Sequence, residues 1–113
     1  WFAGHVVFAV LLPLYLLFAL EEDELHIEEL AVMPSVGRRG VGSALLTAVI
    51  DVAQRAGAKR VTLITLAFAT FATSFYEARG FVPLEPAALG PRLRALAPPE
   101  ENDGRVVYVR ALD

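Results

Sequence analysis

The stretch Leu25–Leu46, LHIEELAVMPSVGRRGVGSALL, decides the fold. Leu25 to Val32 reads as a strand, with His26, Glu28, Leu30 and Val32 on one face and Ile27, Glu29 and Ala31 on the other. Pro34 ends it. Ser35 to Gly42 is a glycine-rich loop carrying Arg38 and Arg39. From Gly42 the apolar positions Leu45, Ala48, Val49, Val52, Ala53 and Ala56 recur at helical spacing, while Thr47, Asp51, Gln54 and Arg55 take the wet side. The unit is a strand, a basic glycine loop and a helix.

That order has a chemical use. The first turn of a helix leaves backbone N–H groups unpaired at the positive end of the helix dipole, so an anion placed there is stabilised. Gly40 and Gly42 present no side chain to keep a phosphate from the backbone, and Arg38 and Arg39 add charge and forked donors. A pyrophosphate fits such a loop. The competing reading is a plain strand-to-helix turn with two solvated arginines, and the glycine spacing alone does not decide between them.

Two blocks, Leu25–Leu46 and Ser74-Phe75-Tyr76-Glu77-Ala78-Arg79-Gly80-Phe81, together resemble the GNAT-type N-acetyltransferase superfamily, whose acetyl-CoA loop follows Arg/Gln-x-x-Gly-x-Gly/Ala. Gly40 and Gly42 fill the two small positions. Gly37 stands where the family has Arg or Gln, which leaves Arg38 or Arg39 to supply the missing contact. The resemblance runs from about Leu25 to Leu112. It implies an α/β (α+β) fold with a mostly antiparallel mixed sheet, helices packed on it, and a splayed parallel pair between the His26 and Val61 strands. It also implies one GNAT-like domain over residues 1–113, without the strand and helices that members carry ahead of the first strand here.

The same resemblance implies the chemistry. Acetyl-CoA is the co-substrate and a small primary amine the acceptor. Arg38, Arg39, Gly40, Val41, Gly42 and Ser43 would hold the pyrophosphate, and the backbone of Leu30, Ala31 and Val32 would pair with the pantetheine arm. Tyr76, the tyrosine of the Phe-Tyr pair, matches the acid that protonates the departing thiolate. His26 and Glu28 fall where members carry bases that act directly or through water. Each has a structural alternative: Tyr76 as a packed aromatic beside Phe75, His26 and Glu28 as polar residues on a strand edge. Ala72 departs from the pattern, because members with the closest Phe-Tyr block place a cofactor-contacting asparagine there. The neighbouring stretch Leu66–Phe71 is also more apolar than is usual.

Charge and composition narrow the partners. The net charge of the 113 residues is −3, with acids clustered at Glu21-Glu22-Asp23-Glu24 and Glu28-Glu29. This argues against a nucleic-acid surface and mildly for a cationic acceptor, with a solvated turn as the plainer account of residues 21–24. There is no cysteine. A disulfide framework, a thiolate nucleophile and a cysteine zinc site are therefore excluded, two histidines make no metal set, and a cytoplasmic location is expected.

Trp1–Leu20, WFAGHVVFAVLLPLYLLFAL, has two readings. As a membrane span, the unbroken run from Val6 to Leu20 is shorter than the ~20 residues a bilayer requires, and Pro13 divides it. The preferred reading is two buried strands, His5 to Leu12 and Leu14 to Leu20, joined at Pro13. Their apolar second face implies a helix, a ligand or another subunit against it, hence a dimer or higher homo-oligomer. Downstream, Ala56-Gly57-Ala58 is a helix C-cap and Lys59 to Phe68 a β-branched strand. Thr70 to Ala78 is a short helix capped by Thr70 or Thr73, and Gly80 to Leu84 a further strand. Residues 86–101 form a loop or a short helix around Leu89 to Ala97, and Asp103-Gly104 turns into a terminal strand, Arg105 to Leu112.

Two functions of different class follow. One is an acetyl-CoA-dependent N-acetyltransferase acting on a small amine. The other is a catalytically weak or inactive GNAT-like binding domain, natural or engineered, with an apolar ligand pocket or dimer surface, for which Gly37 and Ala72 speak.

Overall fold

A computed structural model of the chain describes residues 5–11, 14–21, 23–32 and 40–112. Among them lie strands β1 (His5–Leu11), β2 (Leu14–Glu21) and β3 (Glu24–Val32), helix α1 (Val41–Arg55), and strand β4 (Arg60–Leu66). Helix α2 (Thr70–Glu77), strand β5 (Val82–Pro83), helix α3 (Pro91–Leu96) and strand β6 (Arg105–Ala111) follow. The strands make one sheet in the order β1-β2-β3-β4-β6-β5. Neighbours β1–β2, β2–β3 and β5–β6 are antiparallel, and β3 and β4, joined through α1, form the parallel pair of a mixed sheet. A parallel pair needs a long crossover, and the 15-residue α1 supplies it. By its contacts the chain divides after Val61: described residues up to Val61 with Ala111 and Leu112 make one unit, and Thr62–Arg110 the other.

In the first unit β1 and β2 form the hairpin expected from the apolar N-terminal stretch, while its joint at Pro13 lies outside the described residues. Among the described residues no helix is long and apolar enough to cross a membrane. Strand β3 departs from the expected alternation. Ile27 pairs with Phe18, but the next pair along β2 is Leu17 with Glu29, so Glu28 is an extra residue in the register. Such a bulge shifts the pleat by one residue. Positions 30 and 32 are therefore in phase with 25 and 27, and His26 is not in phase with 30 and 32 as regular alternation would have it. Leu25, His26 and Ile27 are all buried, whereas Glu28 is exposed.

Helix α1 packs against β3 and β2. Leu46, Val49, Ile50 and Ala53, at spacing i, i+3, i+4, i+7, are buried with Leu45. The expected stripe lay partly to one side, since Ala48 and Val52 are half-buried and Ala56 is exposed. The helix closes as expected: Gly57 N–H donates to Gln54 O at 3.1 Å and Ala58 N–H to Ala53 O at 2.9 Å, the paired bonds of a Schellman motif. The acidic turn has a structural use. Lys59 N–H donates to Asp23 O at 2.6 Å, and the Arg60 guanidinium meets Glu24 at 3.0 Å and Asp23 at 3.6 Å. These contacts fasten the start of β4 to the turn ahead of β3.

In the second unit Leu93, Ala97 and Val107 are buried together, with Ile64, Leu84 and Leu89 against them. Proline at the first turn of α3 starts the short helix that composition left open against a loop. Three other expectations change. Strand β4 ends at Leu66, because Ala69 N–H turns back to Leu66 O at 3.0 Å. Helix α2 has Ala69, not a threonine, at its N-cap, while the Thr73 hydroxyl donates within the helix to Thr70 O at 3.2 Å. Strand β5 is only Val82–Pro83, with one further bond beyond it from Leu84 N–H to Val107 O at 2.8 Å.

The phase of α1 can be tested by truncation. Leu46→Ala, at a side chain 1% exposed, is expected to cost ~2–5 kcal/mol in urea unfolding. Val52→Ala, half-buried, should cost less than half of that. Equal losses would place the helix in the phase of the simple periodic reading.

Candidate active site

The strand–loop–helix unit folds as the glycine spacing requires at the end that is described. Gly40 immediately precedes α1 with φ 75° and ψ 8°, left-handed backbone that side chains rarely adopt. Its carbonyl accepts from Ala44 N–H at 3.0 Å, the first bond of the helix. No side chain caps α1 and no acid lies in its first turn, so the positive end of the dipole is not answered from within the helix. Gly42 and Ser43 are half-buried in that turn, and Val41 begins it. Arg38 and Arg39 lie outside the described residues.

On β3, Leu30, Ala31 and Val32 pair antiparallel with Leu16, Tyr15 and Leu14. An antiparallel ladder engages alternate residues, so backbone groups between them point to the other edge of the strand. His26, 3% exposed, lies opposite Ala19. Glu28 is the bulged residue, which turns its side chain out of the regular pleat. His26 is thus buried and does not face solvent on a strand edge, whereas Glu28 is exposed.

Tyr76 sits in the last turn of α2 and is half-buried. Its ring meets Phe75 edge-on with centroids 5.3 Å apart, and Phe81 likewise at 5.8 Å. Gly80, at φ 90°, lets the chain reverse. Gly80 N–H donates to Glu77 O at 3.1 Å and Phe81 N–H to Tyr76 O at 3.1 Å, so the Gly-Phe dipeptide of the sequence block is a Schellman closure whose apolar contact is Phe81 on Tyr76. The Arg79 guanidinium lies 3.8 Å over the Phe75 ring and donates to Phe75 O at 2.9 Å. Burial raises the Tyr76 pKa above its ordinary 10.0. At neutral pH the group is a phenol that can donate a proton.

Sequence reasoning passed over Tyr108 and Arg110, two polar-ended side chains at spacing two on β6. The Tyr108 hydroxyl donates to Glu77 Oε2 at 2.9 Å, and Arg110 Nη1 donates to Arg79 O at 3.0 Å. Burial first, and then the hydrogen bond and charge of Glu77, raise the Tyr108 pKa. Their signal was their position on one strand face, which reads equally well as ordinary amphipathic patterning. Among the described residues no three histidine, aspartate or glutamate side chains gather as a metal site.

A mixed sheet with a βαβ crossover, whose helix starts behind a left-handed glycine, is the arrangement that the acetyltransferase resemblance implies. The acetyltransferase (GNAT) family profile matches residues 2–81, and the chain belongs to that family. Among similar solved structures is a PaiA N-acetyltransferase from Thermoplasma acidophilum in complex with coenzyme A, at 13% identity and a TM-score of 0.69, with 88% of this chain and 53% of that one covered. Another is N-acetylglutamate synthase from Neisseria gonorrhoeae complexed with coenzyme A and N-acetyl-glutamate, at 27% identity and a TM-score of 0.68, covering 88% and 23%. An acetyltransferase from Bacillus cereus matches at 21% identity and a TM-score of 0.71 over 96% and 74%. The chain spans about half the length of the first of these structures.

Both raised tyrosines predict alkaline sensitivity. A folded-state pKa above the unfolded 10.0 contributes stability that is complete below about pH 10 and is lost as pH rises through the folded values. The melting temperature should therefore be insensitive to these groups near neutrality and fall above about pH 10. Tyr108→Phe should make that fall shallower, and an unchanged slope would show that the hydroxyl is not held as described.

Proposed function

We propose that this chain is an acetyl-CoA-dependent N-acetyltransferase acting on a small primary amine. The observation that carries the reading is the start of α1, where left-handed Gly40 opens a helix with no side-chain cap and no acid in its first turn. Such a terminus suits the CoA pyrophosphate. Family membership and the coenzyme A complexes of similar structures support the same choice of co-substrate. The backbone of Gly40, Val41, Gly42 and Ser43, with Arg38 and Arg39, would hold the pyrophosphate. Groups of Leu30, Ala31 and Val32 on β3 would pair with pantetheine amides.

In the reaction the amine nitrogen attacks the thioester carbonyl carbon, a C–N bond forms, and the C–S bond breaks. The sulfur leaves as a thiolate and takes the Tyr76 proton, while the nitrogen gives up its proton through water to Glu28. Tyr76 is suited to the first role because burial keeps it protonated. Glu28 is suited to the second because it is exposed and can exchange protons with solvent. Buried His26 is suited to orienting the strand around Glu28 as well as to serving as a base. The apolar N-terminal strands support a homo-oligomer, and the lack of cysteine suits a cytoplasmic location.

A second reading, a weakly active binding domain, is favoured by the apolar corner between β4 and α2. Phe68 and Phe71 are 72% and 77% exposed there, with Ala72 following in place of a cofactor-contacting amide.

Calorimetry with CoA tests the anion site. A Cβ on Gly40 would meet nothing within 4 Å, so Gly40→Val acts by backbone strain at φ 75° and not by local crowding. CoA affinity is expected to drop at least ~10-fold, consistent with strain of ~1–2 kcal/mol at a binding backbone. Equal affinity would put the site elsewhere. For the chemistry, thiol release from acetyl-CoA should fall ~10²-fold in kcat in Tyr76→Phe with CoA affinity kept, as for a lost general acid. Glu28→Gln should flatten the acidic limb of the rate profile. No turnover in the parent with any amine, alongside tight CoA binding, would favour the binding domain.

A further inference from the structure

We propose that Tyr108 and Arg110 on β6 are positioning residues that aim the Tyr76 hydroxyl by fastening the last turn of α2. The proposal rests on the assignment of Tyr76 as the acid. Helix α2 has 8 residues, no side-chain N-cap, and only Thr73 buried. A helix so short is not stable on its own, and one buried threonine gives little packing to fix its position. What holds it is concentrated at its C-terminal end, where Tyr76 lies.

Three ties converge there. The Gly80–Phe81 closure pins the Tyr76 carbonyl and puts the Phe81 ring against the Tyr76 ring. The Arg79 side chain folds back over Phe75, on which Tyr76 also packs. The third reaches strand β6. Tyr108, 4% exposed, gives its hydroxyl to Glu77, the residue after Tyr76. Two residues along β6, Arg110 donates to Arg79 O, and its side chain runs 3.6 Å from where a Cβ on Gly80 would stand. A phenol and a guanidinium on one strand thus hold the Glu77 carboxylate ahead of the reversal and the Arg79 carbonyl within it, on either side of the turn that follows Tyr76.

An acid must be held to within about 0.5 Å of its target, and a misplacement of about 1 Å can cost ~10²-fold in rate. Loss of one clamp should therefore appear in kcat and leave ground-state binding of acetyl-CoA nearly unchanged.

The test combines kinetics with a readout independent of turnover. In acetyl-CoA thiol-release assays, Tyr108→Phe and Glu77→Ala should each lower kcat about 10-fold with KM for acetyl-CoA within about 2-fold. Glu77→Gln, which keeps an acceptor oxygen, should restore most of the rate. In a Tyr76→Phe background neither change should lower kcat further, because the group being aimed is gone. Glu77 is exposed, so its variants report even if Tyr108→Phe does not fold. Tyrosine-ring NMR should show the Tyr76 signal displaced or broadened in Glu77→Ala and Tyr108→Phe, but not in Glu77→Gln. An unmoved Tyr76 signal, or equal kcat losses with and without Tyr76, would overturn the positioning role. Parent-like kcat in Tyr76→Phe alone would instead overturn the acid assignment, and with it any catalytic purpose for the clamp. The ring signals distinguish the two failures, since they do not depend on turnover.

Discussion

The first unit depends on the register of β3 against β2. A single extra residue, Glu28, divides that pairing into two halves that differ in phase by one. Ahead of it, Leu25, His26 and Ile27 are buried on both faces of the strand; at it, a carboxylate is exposed. Without the bulge, position 28 would follow position 26 in the pleat, and a charged group would be directed to the same side as buried His26. Burying a carboxylate is costly. Glu28 is exposed, at the point where the family resemblance places a base. Structural economy and the proposed chemistry are met by the same irregularity.

The second unit shows a different means of placing a side chain. Tyr76 is on a helix with little buried area, so its position comes from directed contacts: a left-handed glycine, two edge-on aromatic contacts and hydrogen bonds from a neighbouring strand. Hydrogen bonds contribute modestly to stability, about 1 kcal/mol each, but they fix angle and distance in a way that apolar burial does not. The same Schellman closure ends α1 through Gly57 and Ala58. There it mainly stops a helix already held by a buried face of Leu46, Val49, Ile50 and Ala53. The same local device closes a helix in each unit, and in the second it sets the Phe81 ring against the Tyr76 ring.

Much of this was legible in the chain. Apolar runs on either side of Pro13 gave two strands, β-branched residues gave β4, and glycine after a run of helical period gave the end of α1, because each depends on the preferences of a few adjacent residues. The glycine loop and the Phe-Tyr block were legible as a pair, since their joint spacing is far rarer than either one. Less was legible where neighbours distant in sequence decide. The buried face of α1 is turned toward Leu46 and Ile50 because the helix meets two strands, and periodicity gives only a stripe. Asp23 and Glu24 read as a solvated turn because Arg60, their partner, is more than thirty residues away.

The sequence by itself determined the order of elements, the glycine at the start of α1, and the residue types from which the proposed acid, base and anion site are drawn. These follow from local sterics and from hydrophobic period, which act over a turn or two of chain. Tertiary structure alone decided which polar residues are buried, that His26 is buried while Glu28 is exposed beside a bulge, and that Tyr108 and Arg110 bond to the end of the helix bearing Tyr76. Each of these depends on a partner strand, and the identity and register of that partner are fixed only when the sheet forms and removes particular faces from water.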